Sequence, residues 1–159
     1  MTPALLQAAN QKLQQFGQDK VPLIGYCEPK LLRLSNLECE IQLPLNEKTQ
    51  NHVHSLYFGT LAVGADITGG FLAMMLGEQS GHSIELLFKD FKANFIKRAM
   101  ADTHFHCDSG KLIQLMIDKA IATKERINKS ILITATTPSI SDNEIIARFE
   151  LTLSLKDRS

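Results

Sequence analysis

The sequence predicts an α+β fold, an antiparallel sheet packed on one long apolar helix. Three observations predict it. Residues 56–77, LYFGTLAVGADITGGFLAMMLG, form an apolar run whose only ionisable side chain between 60 and 77 is Asp66. Five other segments (37–45, 83–95, 100–107, 130–136 and 144–156) alternate apolar and polar residues with the period of a half-buried strand. No repeat, linker or low-complexity stretch divides the 159 residues, a length that suggests a single domain over 1–159. Strands that alternate need one apolar surface to cover, and a helix that is apolar nearly all round needs a sheet to bury it.

The elements follow in order. Thr2 can cap a helix over residues 3–16, Pro3 suits its first turn and Gly17 its end. Leu6, Ala9, Leu13 and Phe16 recur at helical spacing, so one face should dock on the core, which spans about 30–156. In the first strand Leu37, Cys39, Ile41, Leu43 and Leu45 alternate with polar residues and Pro44. A polar loop at 46–51 leads to the apolar run. In 83–95, Ile84, Leu86 and Phe88 keep one parity while Phe91, Ala93 and Phe95 keep the other, which a bulge near Lys89–Asp90 reconciles. Ala101, Thr103, Phe105 and Cys107 alternate with Asp102, His104 and His106. Residues 111–128 read as a helix through Leu112, Met116, Lys119, Ala120 and Ile127, with Lys111, Lys119, Lys124 and Arg126 on its wet face. Two strands close the chain, and Ile145, Ala147, Phe149, Leu151, Leu153 and Leu155 line one face of the last.

Composition excludes several functions. The 17 basic and 17 acidic side chains cancel, which argues against a nucleic-acid partner and against polybasic attraction to lipid. The cancellation is an average: residues 49–88 hold no Lys or Arg and three acids, so they carry −3 while the rest carries 17 − 14 = +3. Cys27, Cys39 and Cys107 are odd in number and far apart, as expected of reduced thiols in a cytoplasmic protein rather than of a disulfide framework. The first residues lack a basic start followed by an apolar block, so no secretory signal is expected. His52 with His54, and His104 with His106, are spaced by two, yet they lack a metal-site signature; neither a metal nor a cofactor is expected.

A membrane span is not expected from 56–77. An Asp near the middle of a span costs ~3 kcal/mol, and each of Gly64, Gly69 and Gly70 costs ~1 kcal/mol in helix propensity. A helix wrapped by its own sheet accounts for the run, and the glycines let backbones approach. Asp66 is then the question. A carboxylate in such a helix must be hydrogen-bonded, protonated or facing a cleft. Its neighbours at helical spacing, Ala62, Val63, Gly69 and Gly70, are mostly small, which leaves room beside it; an acid with space around it is a candidate site.

The run Asn51-xx-His54-xx-Tyr57-Phe58-Gly59, with Asp66 seven residues after the glycine, resembles the hotdog-fold thioesterases of the phenylacetate-degradation (PaaI-like) type. Their pattern is Asn-xx-Gly-xx-His-Gly-Gly, followed by a helix bearing an Asp or Glu. The YFG form is most similar to the YiiD C-terminal-like branch, and residues 91–102 resemble the hotdog strand pair F-x-R-P-A-xx-G-D. The resemblance implies a curled antiparallel sheet wrapped around a long central α-helix, a homodimer or a dimer of dimers, and an acyl-CoA or other acyl-thioester substrate. Tyr57 and Phe58 stand where the pattern has His-Gly, and His54 where it has Gly. Backbone donors survive those changes.

The N–H groups of Phe58 and Gly59, opening the helix, can polarise a carbonyl oxygen. Asp66 lies roughly 11–12 Å further along the axis, too far to act on the same carbonyl. A working site therefore needs Asp66 of one subunit and the helix start of another. Asp66 is the expected base or nucleophile of thioester hydrolysis, Asn51 holds the loop or the attacking water, and Thr68 has a weak supporting role. Expected substrate contacts are His54, Tyr57, Gly70, Lys97 and Arg98, the last two as a basic rim for phosphates. Two other readings stay open: a hotdog dehydratase using His52 and Asp66, which are 14 apart, and an acyl-ligand binding module without chemistry.

Overall fold

Ten elements make up the computed structural model, which describes residues 2–159. They are α1 (Pro3–Asp19), α2 (Pro22–Tyr26), β1 (Lys30–Leu34), β2 (Cys39–Leu43), α3 (Phe58–Gln79), β3 (Ile84–Phe95), β4 (Thr103–Cys107), α4 (Gly110–Thr123), β5 (Ile127–Thr136) and β6 (Ile145–Asp157). One six-stranded sheet runs β1-β2-β4-β5-β6-β3, antiparallel throughout. It curls around α3, the arrangement the hotdog resemblance implies.

Alternation sets the core. Cys39, Ile41 and Leu43 of β2 lie opposite Cys107, Phe105 and Thr103 of β4, and all six are buried. Ala147, Phe149, Leu151, Leu153 and Leu155 of β6 are buried in the same layer, with Ile145 only partly so. Against this layer α3 buries both Leu72 and Phe71, and its glycines fit close contacts. A Cβ on Gly64 would lie 2.3 Å from the Phe105 ring, and one on Gly69 2.5 Å from Ile131. By length and composition α3 could cross a membrane, yet most of its surface is buried inside the protein.

The phase change in the long strand is a bulge. Phe88 pairs with Leu153 and Asp90 with Thr152, so Lys89 is the extra residue, and the Thr152 hydroxyl donates to Asp90 at 2.7 Å. β3 forms one edge of the sheet, and neither of its faces is fully buried.

Several expectations change. Gly17 does not end α1, which runs on to Asp19; it is the contact with α2, where a Cβ would sit 2.7 Å from the Gly25 Cα. The sequence reading did not anticipate α2 or β1. Leu37 lies outside β2 and is exposed. The second long helix stops at Thr123, because Lys124 turns left-handed (φ 57°) and closes on the Ala120 carbonyl. Ile127 therefore belongs to β5, while Lys111 and Lys119 are exposed, as expected of the wet face. Lys124 and Arg126 are not on that face. Lys124 pairs with the buried Asp157 carboxylate, which also meets His82 at 3.2 Å; Arg126 pairs with Glu85 and donates to the Ser154 hydroxyl. Cys39 and Cys107, distant in sequence, are direct cross-strand neighbours with free thiols that burial pushes up in pKa. On the outer face, His104 pairs with Glu40 and His106 with Glu38, both at 2.9 Å.

Candidate active site

The loop before α3 is built by short polar side chains. The Asn51 carboxamide accepts from the Val53 and Ser55 backbone N–H groups at 3.0 and 3.1 Å and donates to the Ser55 hydroxyl at 2.9 Å. Asn51 thus spends its polar atoms on holding the turn 51–55, the first of the two roles expected for it. His54 closes that turn with φ 58°. Left-handed backbone costs a non-glycine residue on the order of 1 kcal/mol. That is why glycine suits this position; the His54 ring meets the Gln50 carboxamide oxygen at 3.3 Å.

Tyr57 caps α3 in extended conformation, and its own N–H donates to the Thr49 carbonyl at 2.8 Å. The next N–H groups, those of Phe58 and Gly59, have no acceptor among the described residues. This follows from their place in the first turn of the helix, whose leading donors have no carbonyl below them. The Tyr57 ring lies over Gly59, where a Cβ would meet it at 2.4 Å. The Tyr57, Phe58 and Phe95 rings form a chain of edge contacts at 4.8 and 6.3 Å. A groove of about 520 Å³ runs past this helix start, lined by Asn51, His52, Tyr57, Phe58, Lys97 and Arg98 among others. Lys97 is held there by an ion pair with Glu144.

Asp66 sits two turns further on, facing a different cavity of about 310 Å³. Its companions from α3 are Ile67, Gly70, Phe71 and Met74. Gly70 leaves the space beside the carboxylate: a Cβ there would lie 3.8 Å from the Asp66 Oδ1 and 3.6 Å from the Phe88 ring. No hydrogen-bond donor among the described residues reaches Asp66. Thr68 in particular turns its hydroxyl to the Gly64 carbonyl at 2.7 Å, so it gives Asp66 no support. Burial without a partner pushes the Asp66 carboxyl up to about 6. An acid so placed carries a proton or takes one near neutral pH, the range a general base needs.

The expected residues therefore fall into two groups in one subunit. Asn51, Tyr57, Phe58, Lys97 and Arg98 share the groove at the helix start, with Gly59 beneath the Tyr57 ring. Asp66 and Gly70 share the apolar cavity, and His54 lies outside both. Six residues that line the Asp66 cavity were not expected site residues: Phe16, Val21, Ile24, Ile67, Leu86 and Phe88. The apolar stripe of the first helix was a signal for Phe16. Nothing local marks Val21 or Ile24. Phe71 and Met74 line this cavity, while Met75 faces a separate one between α3 and α1.

A family model described as a domain of unknown function, DUF4442, matches residues 9–152. No curated protein matches the sequence. Among solved structures, a "putative thioesterase" of Shewanella oneidensis superposes with a TM-score of 0.77 at 11% identity, over 94% of this chain and 99% of that one. A Chlorobaculum tepidum protein of unknown function gives 0.79 at 12%, over 95% and 96%. A thioesterase family protein of Silicibacter pomeroyi gives 0.69 at 18%, over 94% and 98%. At such identities the likeness establishes the fold.

Proposed function

The chain belongs to the DUF4442 family, a domain of unknown function, and from that premise and the geometry of α3 we propose that it hydrolyses acyl thioesters, of CoA or of an acyl carrier, as a homodimer. One observation carries the reading: the only carboxylate within residues 60–77 of the central helix faces an apolar cavity, with no hydrogen-bond donor among the described residues and a pKa pushed up to about 6. The likeness to the Shewanella putative thioesterase and the Silicibacter thioesterase family protein points the same way.

In this reading Asp66 takes a proton from water as the water oxygen attacks the thioester carbonyl, or attacks that carbon itself to give a mixed anhydride that water then hydrolyses, releasing the acid and restoring the carboxylate. The Phe58 and Gly59 N–H groups hold the oxyanion, and collapse expels the thiolate. The two parts belong to different subunits, because they are roughly 11–12 Å apart along one helix. Strand β3 supplies a route. It is an edge strand with Leu87, Phe91 and Phe95 exposed at 54%, 43% and 46%, an apolar edge that invites pairing. Leu86 and Phe88, at its start, line the Asp66 cavity, and Phe95, at its end, lines the helix-start groove. Antiparallel pairing of β3 with its copy about a two-fold axis sets the start of one strand beside the end of the other. Each Asp66 cavity then meets the partner's helix start. A dimer of dimers is the next level of assembly in this reading, and a reducing cytoplasmic setting suits its three buried free thiols.

Thiol release from a panel of acyl-CoAs and acyl-carrier thioesters tests the proposal. Asp66→Asn should lower it by ~10²-fold or more; full activity in that variant refutes it. Because His52 also lines the groove at the helix start, a dehydratase remains the second reading. It predicts loss of hydration activity in His52→Ala. Acyl ligand retained without turnover would instead mark a binding module.

A further inference from the structure

We propose that the α1–α2 hairpin gauges the length of the acyl chain, with Phe16 closing the far end of the Asp66 cavity, so that the preferred substrate carries a hydrocarbon chain of medium length without polar substituents. The assignment rests on the hydrolase reading for the thioester, but not for the chain.

From Asp66 to Met74, α3 lines the cavity over roughly 12 Å of its axis, with the carboxylate at one end. Leu86 and Phe88 of β3 form a second side. Phe16, Val21 and Ile24 of the hairpin complete the wall. Beyond Asp66 every side chain facing the space is apolar, so nothing there can hydrogen-bond a hydroxyl, an amine or a second carboxylate. A polar acyl group would lose its water without replacement, which favours a plain hydrocarbon tail.

The hairpin is a fixed wall. Gly17 and Gly25 bring its two helices into backbone contact. The Asn10 carboxamide clamps the Leu31 N–H and carbonyl, both at 2.8 Å. Lys12, one turn before Phe16, pairs with Glu78, one turn beyond Met74. Phe16 and Met74, each one turn from a member of that pair, both line the cavity, which puts the Phe16 turn toward the Met74 end of the row. A methylene fills about as much room as a liquid water, ~30 Å³. The 310 Å³ cavity therefore holds a chain of up to roughly ten carbons.

The test compares the wild-type protein with Phe16→Ala, Phe16→Leu, Phe16→Trp and the control Leu115→Ala, whose exposed side chain lies outside the cavity. Thermal melting checks that each variant is folded. Two readouts run in parallel: thiol release from straight-chain acyl-CoAs from butyryl to palmitoyl, and calorimetric binding of the corresponding free fatty acids. The wild-type optimum is expected at or below ~10 carbons. Phe16→Ala should move it longer by about two to four carbons, the room a phenyl ring vacates, Phe16→Leu less so, and Phe16→Trp should shorten it. An optimum that stays put in every Phe16 variant overturns the gauge while leaving the hydrolase standing. Binding optima that shift without any turnover overturn the hydrolase and support the gauge. No turnover and no fatty-acid binding by the wild-type protein overturns both.

Discussion

Asp66 is charged only against the pull of its surroundings, and that has consequences for both rate and stability. Its folded pKa of about 6 exceeds the unfolded value of about 3.9, so between those two pH values the folded protein binds more protons than the unfolded chain. Stability then falls as pH rises through that window, and the ionised carboxylate costs roughly 3 kcal/mol above it. Asp66→Asn removes the cost. In calorimetric scans it should raise the melting temperature by roughly 6 °C or more at pH 7.5 and by much less near pH 4, where Asp66 is protonated in the fold and about half ionised in the unfolded chain. Thiol release by the wild-type protein should climb through pH 6 and level off above it, the profile of a base that must first lose its proton. The helix start offers a second test at this scale. Proline suits the first helical position and removes one N–H; Tyr57 already has the extended conformation that precedes a proline (φ −62°, ψ 141°). Phe58→Pro should lower kcat by ~10²-fold while Phe58→Ala, which keeps the N–H, does not, if the donor rather than the ring matters. Asp66 was legible in the sequence because it is the lone charge between residues 60 and 77 of an apolar helix. Its cavity was not, because Phe16, Ile24 and Phe88 reach it from three other elements.

Within α3, two glycines that look alike in sequence do opposite work. At Gly64 a methyl group would lie 2.3 Å from the ring of the fully buried Phe105. The gain in helix propensity, ~1 kcal/mol, is outweighed by overpacking that costs ~1–3 kcal/mol or more. At Gly70 the same methyl meets Phe88 at an ordinary 3.6 Å. Gly64→Ala should therefore melt lower than wild type. Gly70→Ala should melt at or above it, and should lose turnover of the longer acyl-CoAs because the methyl enters the space beside Asp66. Melting curves and a chain-length series read both. The same contrast explains which elements could be read from the sequence. Alternation in β2, β4 and β6 depends only on which face is wet, and the parity switch in 83–95 reported the bulge at Lys89 directly. Gly17 resembled a helix stop because glycine commonly is one; its use is a contact with Gly25 that only tertiary structure reveals. The end of α4 was hidden for the converse reason. Lys124 adopts a left-handed backbone without being glycine, and its ammonium is drawn to Asp157, 33 residues away.

Assembly is where the two halves of the site come together or fail to. In one chain, the open N–H groups and the carboxylate line separate cavities. The proposed chemistry thus requires that activity track the dimer. Phe91→Lys puts a charge midway along the exposed edge strand β3, a device that blocks edge-to-edge pairing. Light scattering after gel filtration should show a monomer, and thiol release should fall together with the dimer, with circular dichroism unchanged. A sharper version uses the asymmetry of a shared site. Asp66→Asn and Phe58→Pro each disable one half, and each alone should be nearly inactive. Mixed in equal amounts and allowed to exchange subunits, about half of the dimers carry one chain of each kind. Every such hybrid rebuilds one intact site from the Asp66 of the Phe58→Pro chain and the helix start of the Asp66→Asn chain. Its second site has neither. Recovery should reach about a quarter of wild-type activity, half of the dimers at half strength. If both parts acted within one chain, no mixture could recover anything, since every site would keep its own defect.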